Sequence, residues 1–248
     1  MLPNSTLLGQ PKQPPGPLLV SLTIVAMKLP DDFKVSEGIL ELERRIGVPE
    51  NFFRNLNDAD DWTFVIKLHA LFEAACTHLL LHHLKEPELA SIISRLELSN
   101  KVTGKVAFLT KLKLIGKGNR RFIATLSELR NSLVHDVRNH EFTLPSMLTE
   151  LTPDAIKNMA VAFSPYESFI REHPFNDDLQ LGYKGDISKQ AELSAVIERF
   201  KWDPRYHIWI GAHHVLIEII DNYDYSDYLT WVRDRDERAA YTGESEKA

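Results

Sequence analysis

An arginine, an asparagine and a histidine lie close together in the segment 127–136, which reads Ser-Glu-Leu-Arg-Asn-Ser-Leu-Val-His-Asp. Arg130 can hold a phosphate through the fixed fork of its guanidinium, and Asn131 can orient a hydroxyl or a backbone group. His135 carries an imidazole, which transfers protons near neutral pH. Together these three side chains supply the groups needed to act on a phosphodiester without a metal ion.

The apolar pattern around these residues predicts a helix, here called the motif helix. At about 100° per residue, Asn131, His135 and Arg138 fall on one stripe of it. Arg130 lies roughly 140° around the helix from His135. The guanidinium must therefore reach around on its long stem or meet the histidine of a second copy of the chain. We expect the second arrangement, a two-fold homodimer whose motif helices face each other across a basic cleft.

The spacing Arg130-Asn131-x-x-x-His135 resembles the signature of HEPN-domain proteins, a family of small helical bundles that includes many metal-independent ribonucleases. The resemblance implies an all-α fold, an antiparallel helical bundle with additional C-terminal helices, and neither cofactor nor metal. In the implied reaction, His135 removes the proton of the ribose 2′-hydroxyl, Arg130 stabilises the phosphate oxygens and Asn131 fixes the geometry. RNA would be cut to a 2′,3′-cyclic phosphate and a 5′-hydroxyl.

The resemblance covers more of the chain than the motif, roughly residues 58–142. It includes a long amphipathic helix, predicted from Trp62 to Leu84, with an inward acidic residue at Glu73. We assign supporting roles to Glu73 and Asp136. The stretch 101–135 is also similar to the mannitol operon repressor branch of the same fold.

Two functions follow from this resemblance and stay open. One is a toxin-like or defence-like ribonuclease with an antitoxin partner; the other is a repressor-like module that binds protein or nucleic acid without turnover. The motif residues also have a purely structural interpretation, in which Arg130 and Asp136 form an ordinary surface charge pair, Asn131 caps a loop and His135 is a hydrogen-bonded bundle histidine. An adjacent antitoxin gene would favour the first function, and a sugar-transport operon the second.

Composition restricts how RNA could bind. The chain has 248 residues and a formal net charge of −6, so a generally basic surface is excluded and RNA contact needs a local patch. Cys76 is the only cysteine, which excludes an internal disulfide and fits a reducing cytoplasm. Its apolar surroundings predict a buried thiol rather than a nucleophile.

A local basic patch is present in residues 101–121, here called the basic segment. It contains seven Lys and Arg residues and no Asp or Glu. A phosphate backbone would be drawn to it, and we assign substrate binding to Lys117, Arg120, Arg121 and Arg138. The other interpretation is a solvated helix face balanced by acidic residues elsewhere.

The chain is expected to have four parts. Residues 1–28 have the composition of a disordered leader with an apolar run too short to span a bilayer, and we expect Met27 to be the biological start. Residues 29–57 form an N-terminal helical segment and 58–145 the HEPN-like bundle. Residues 146–248 form a helical extension packed on that bundle.

Local signals predict the helix boundaries. A first helix should run from Phe33 to Ile46 and end at Gly47, and the long helix should have its N-cap within 57–61. The run Gly116 to Asn119 predicts a turn before the motif helix.

The buried side of the long helix is predicted to comprise Phe64, Leu68, Leu71, Phe72, Ala75, Leu79 and His82. Later helices should open at Thr152-Pro153, Ser164-Pro165 and Asp203-Pro204, the last leading into the apolar run Tyr206 to Tyr223, with a loop over 174–185.

Three other patterns are weaker. His78 with His82, and His214 with Glu218, have the four-residue spacing that can hold zinc, but no third ligand is fixed by spacing and we expect no metal. The run 223–228, Tyr-Asp-Tyr-Ser-Asp-Tyr, could stack bases or contact a partner, or it could be a helix end packed on its neighbour.

Overall fold

The computed structural model describes residues 35–134, 141–165 and 187–242. Within these ranges the chain is helical and contains no strand, which confirms the all-α prediction; the HEPN-like arrangement of the bundle stays a prediction. Two 3-10 turns, Leu56–Asp58 and Pro87–Leu89, join some of the helices. The α-helices in chain order are α1 (Glu37–Ile46), α2 (Phe52–Asn55), α3 (Asp61–Leu84), α4 (Ala90–Ile93), α5 (Lys105–Lys111), α6 (Lys117–Val134), α7 (Leu144–Glu150), α8 (Pro153–Ala162), α9 (Ile187–Trp202) and α10 (Pro204–Thr242).

Helix α3 forms the centre of the fold because it is apolar on more than one side. It packs against α1, α5, α6 and α10, and the hydrophobic core is continuous around it. The largest fully buried side chains of this core are aromatic, and each aromatic ring removes a large apolar area from water. They are Phe53, Phe64, Phe72, Phe122, Phe163, Phe200 and Trp209.

The two long partners of α3 run in opposite directions. On α10, Arg205 contacts Asp61 at the start of α3 and Ser226 contacts His83 near its end, so α10 is parallel to α3. On α6, the ring of Phe122 lies 5.5 Å from that of Phe72 in the middle of α3. The earlier residue Asn119 bonds to Glu218 of α10, farther from the start of α3. Helix α6 is therefore antiparallel to α3, and its later residues approach the start of α3. The C-terminal end of α6 therefore lies toward the N-terminal half of α3.

Several predicted helix ends are confirmed. Helix α1 ends at Gly47, which has the left-handed φ of 74° that glycine adopts without strain. Asp60 caps α3 by accepting the Thr63 N–H at 2.8 Å, and Thr152 caps α8 in the same way. Asp203 accepts the Tyr206 N–H at 2.8 Å at the start of α10.

Other boundaries differ from the sequence predictions. Helix α1 begins at Glu37 after the cap Ser36, later than predicted. Helix α6 already begins at Lys117, so the predicted turn is wrong for its last residues; Asn119 is helical, buried and bonded to Glu218 of α10. The final helix continues well past Tyr223, to Thr242.

The predicted buried side of α3 is correct for its apolar members and wrong for His82, which is partly exposed. Burial also extends to residues that were not on the predicted stripe, among them Val65, His69 and Cys76. The buried thiol of Cys76 agrees with the prediction, and burial raises its pKa to about 12. Neighbours on several sides of α3 explain this wider burial.

Four predictions fall outside the described residues. They are the leader with Met27 as the start, the helix expected after Ser164-Pro165, the loop over 174–185, and the continuation of the motif helix through His135.

Within the described ranges, one helix, α3, is long and apolar enough to cross a bilayer by length and composition. More than half of its most apolar window, 56%, is buried inside the structure. A core helix that packs against other helices meets the same criterion, so the finding assigns no membrane span.

Candidate functional site

The first two motif residues lie at the end of α6. Leu126, Leu129 and Leu133 of this helix are buried. The side chain of Arg130 is half-buried, and that of Asn131 is exposed. The guanidinium Nη1 of Arg130 donates a hydrogen bond to Oδ1 of Asn131 at 3.1 Å. This bond orients Asn131 and uses one N–H donor of the guanidinium, so the remaining donors of the fork can bind an anion.

His69 of α3 lies within the electrostatic reach of Arg130. Burial lowers the pKa of His69, and the positive charge of Arg130 lowers it further; Glu73 opposes the shift and Lys105 adds to it. The imidazole of His69 is therefore neutral near neutral pH. The sequence analysis missed this residue, and its only signal was the i, i+4 spacing to Glu73 on a predicted core helix.

Glu73, which the resemblance placed in a supporting role, forms an ion pair with α5. Its Oε1 accepts from Lys105 Nζ at 2.8 Å; the lysine side chain is 1% exposed and that of Glu73 is 41% exposed. Lys105 Nζ also donates to the carbonyl oxygen of Ser94 at 3.2 Å. The pair ties α5 to the middle of α3, where burying the lysine without a carboxylate partner would be costly.

The basic segment exposes fewer cations than its sequence suggests. Lys105 is buried and its charge is balanced by Glu73, and the partial burial of Arg121 lowers the pKa of that side chain. Lys117 is also partly buried, at the first position of α6. The exposed cations of the segment are Lys101, Lys111, Lys113 and Arg120.

Three further assigned residues, His135, Asp136 and Arg138, follow α6 in the sequence and lie outside the described residues. The structure therefore brings Arg130 together with Asn131 on α6 and places Arg130 close enough to His69 to lower its pKa.

The histidine pairs with zinc-like spacing have other contacts. His78 Nδ1 and the hydroxyl of Tyr223 are 2.8 Å apart, and His82 Nε2 lies 3.2 Å from Asp227. His214 Nε2 is 2.9 Å from Glu218, which also accepts a hydrogen bond from Asn119. In the part of the chain that the structure describes, no three His, Cys, Asp or Glu residues group together as metal ligands would.

The tyrosine run at 223–228 divides into two faces of α10. Tyr223 and Ser226 are buried against α3, and burial raises the pKa of Tyr223. Tyr225 and Tyr228 point away and are exposed. The run therefore contains both a packed helix face and an open aromatic one.

Comparison of the chain with models of protein families, with curated proteins and with solved structures finds no match.

Proposed function

We propose that the chain is a metal-independent endoribonuclease of HEPN type, with a toxin-like or defence-like role in the cytoplasm. One observation carries the proposal: Arg130 and Asn131 form a hydrogen-bonded pair at the solvent-facing end of α6, directly before His135 in the sequence. An arginine fork and an amide at an exposed helix end, followed in the sequence by a histidine, supply the groups that phosphodiester chemistry requires. The exposed cations of the basic segment would attract the RNA backbone.

In the proposed reaction, neutral His135 takes the proton of the ribose 2′-hydroxyl, and the 2′-oxygen attacks the adjacent phosphorus. The bond from phosphorus to the 5′-oxygen breaks, and that oxygen takes a proton from an acid. Arg130 stabilises the charge on the phosphate oxygens, where a well-placed donor contributes about 10²- to 10³-fold to the rate. The acid is the second His135 of a two-fold dimer, which also explains the angular offset of Arg130.

The test follows the products of an RNA oligonucleotide in the presence of EDTA. We expect 2′,3′-cyclic phosphate and 5′-hydroxyl ends, and no cleavage when the nucleotide at the cut site is 2′-deoxy. His135→Ala should abolish cleavage, whereas Arg95→Ala, a change at an exposed arginine away from the motif, should not. Cleavage of the 2′-deoxy substrate, or loss of all activity to EDTA, would overturn the proposal.

The composite site has its own test. Mixing Arg130→Ala with His135→Ala protein should restore a small part of the activity, because one of the two sites in a mixed dimer regains Arg130 and a His135 base, while water donates the proton that the missing second His135 would supply. Absence of any restoration would place the whole reaction within one copy of the chain.

A second candidate function is a non-catalytic binding module, similar to a repressor. The ion pair between Glu73 and buried Lys105 supports it, because Glu73 then has a structural role in the core rather than a supporting role in catalysis. This candidate predicts saturable RNA or protein binding with an intact RNA product.

A further inference from the structure

The C-terminal half of α10 carries three exposed aromatic side chains that stack on one another. Tyr225, Tyr228 and Trp231 are 40%, 57% and 58% exposed. Ring centroids lie 6.5 Å apart between Tyr225 and Tyr228 and 6.3 Å apart between Tyr228 and Trp231, with nearly parallel planes. The guanidinium carbon of Arg235 lies 5.3 Å from the centre of the Trp231 ring. We call these three rings the aromatic ladder.

We propose that the aromatic ladder is the contact surface for a second copy of this chain, packed antiparallel about a two-fold axis at Tyr228. Exposed contiguous aromatic rings of this kind mark interaction surfaces more often than single exposed apolar side chains do. Charge along the ladder identifies the occupant. Asp221 and Asp224 lie at its N-terminal end, and Arg235 lies at its C-terminal end.

An antiparallel pairing about Tyr228 brings residues whose numbers sum to 456 opposite each other, so that Tyr225 meets Trp231 and Asp221 meets Arg235. On a helix, Asp221, Tyr228 and Arg235 lie within roughly 40° of one another, so all three can face the same partner. A parallel pairing would instead set each charge against its own copy. The antiparallel arrangement is therefore the one in which the charges are complementary.

The structure also offers a place for the partner's arginine. A groove of about 200 Å³ between α1 and α10 has four charged residues in its wall, Glu41, Arg45, Asp221 and Asp224. Glu41 bonds to Arg44 and Arg45, whereas Asp221 and Asp224 form no ion pair within the described ranges. A guanidinium that entered the groove would meet these two carboxylates at its edge.

The same charges disfavour single-stranded RNA as the occupant. Base stacking on aromatic rings usually comes with a positively charged path for the backbone. Here Asp221, Asp224 and Asp227 lie beside the rings on the exposed side of α10. Phosphates that followed the stacked bases would approach these carboxylates.

The proposed contact is distinct from the pairing of motif helices. Phe122 packs at the level of Phe72, and Ser226 at the level of His83. With a rise of 1.5 Å per residue, the ladder and Arg130 are roughly 28 Å apart along the bundle. The two dimer contacts therefore involve opposite ends of the molecule and respond to different substitutions.

Sedimentation velocity of the full chain over micromolar concentrations tests the proposal. Three rings that each bury less than about 200 Å² make a contact smaller than a standard interface, so we expect a concentration-dependent equilibrium in which the particle formed without the ladder contact, a monomer or a motif-helix dimer, doubles in mass. Tyr228→Ser should shift this equilibrium toward the smaller particle by about tenfold in dissociation constant. Trp202→Ser, at an exposed aromatic of α9, is the matched control and should leave it unchanged.

A charge exchange then tests the antiparallel geometry. Asp221→Arg and Arg235→Asp should each weaken the dimer about fivefold or more, and the double variant should restore it. Three results would overturn the proposal: one particle mass at every concentration, a concentration-dependent association that Tyr228→Ser leaves unchanged, or a double variant as weak as the single ones. Weaker binding of a labelled single-stranded RNA by Tyr228→Ser, with unchanged sedimentation, would assign the ladder to RNA instead.

Discussion

Helix α3 meets α10 through two contacts of different chemistry. At its N-terminal end, the carboxylate of Asp61 accepts from Arg205 Nε at 2.6 Å and from the Leu144 N–H at 2.7 Å. At its C-terminal end the contacts are made by histidines. The Nδ1 atom of His78 lies 2.8 Å from the hydroxyl oxygen of Tyr223, and Nδ1 of His83 lies 2.8 Å from that of Ser226, both on α10.

Helices α3 and α10 are thus held together by permanently charged side chains at one end and by histidine rings, which titrate, at the other. Asp61 is buried, so its charge needs the guanidinium and the backbone donor to offset desolvation. Burial lowers the pKa of His78 and of His83, so both rings are neutral in the folded protein near neutral pH. The first contact should therefore contribute more stability, and the second should respond to pH.

The largest effect on stability is expected from breaking the N-terminal contact. Asp61→Ala leaves Arg205 without its carboxylate and should lower the free energy of unfolding by about 3 to 5 kcal/mol. Chemical denaturation measures this change. Glu41→Ala is the matched control, because Glu41 bonds to two arginines in an exposed pair on α1 and should cost no more than about 1 kcal/mol. Equal losses in the two variants would contradict the difference between the contacts.

A smaller effect, with a defined sign, is expected at the C-terminal contact. The unfolded chain takes up protons on His78 and His83 near the ordinary histidine pKa, whereas the folded protein does so only at lower pH. The free energy of unfolding should therefore be greatest above a pH of about 6.5 and should fall as the pH decreases below that value.

The measurement is the free energy of unfolding at two pH values on either side of that range. The double variant His78→Gln, His83→Gln should lose less stability on acidification than the unaltered protein does. The charged neighbours Arg45, Lys85, Arg233 and Asp227 are retained in this variant, so the difference reports on the two histidine rings. An unchanged pH dependence would show that these rings do not titrate on unfolding as the burial implies.

Local signals were sufficient for much of the fold. The caps at Asp60, Thr152 and Asp203 and the stop at Gly47 act within a few residues, so the sequence could predict them. The extension of α10 beyond Tyr223 was not predictable in this way, because the buried positions that follow, Ser226 and Thr230, are polar and do not continue the apolar pattern of the sequence.

The site depends on contacts between distant segments, which a sequence pattern does not contain. Lys105 appeared to belong to a basic surface, yet it is buried because Glu73, on another helix, neutralises it. Asn119 appeared to belong to a glycine-rich turn, yet its bond to Glu218 of α10 keeps it in the helix. The placement of Arg130 and Asn131 on one helix was predictable because both lie within a single apolar helical pattern, whereas the hydrogen bond between them was not predicted.

The most direct test of the proposed function compares arginines at the two ends of the bundle. RNA cleavage is measured in the presence of EDTA for the unaltered protein, for Arg130→Ala and for Arg45→Ala. Arg45 packs over the ring of Tyr223 at the far end from the motif. We predict that Arg130→Ala lowers the cleavage rate by about 100-fold or more, as loss of a phosphate-stabilising donor does, while Arg45→Ala leaves it nearly unchanged. No cleavage by the unaltered protein, or equal rates in the two variants, would contradict the account.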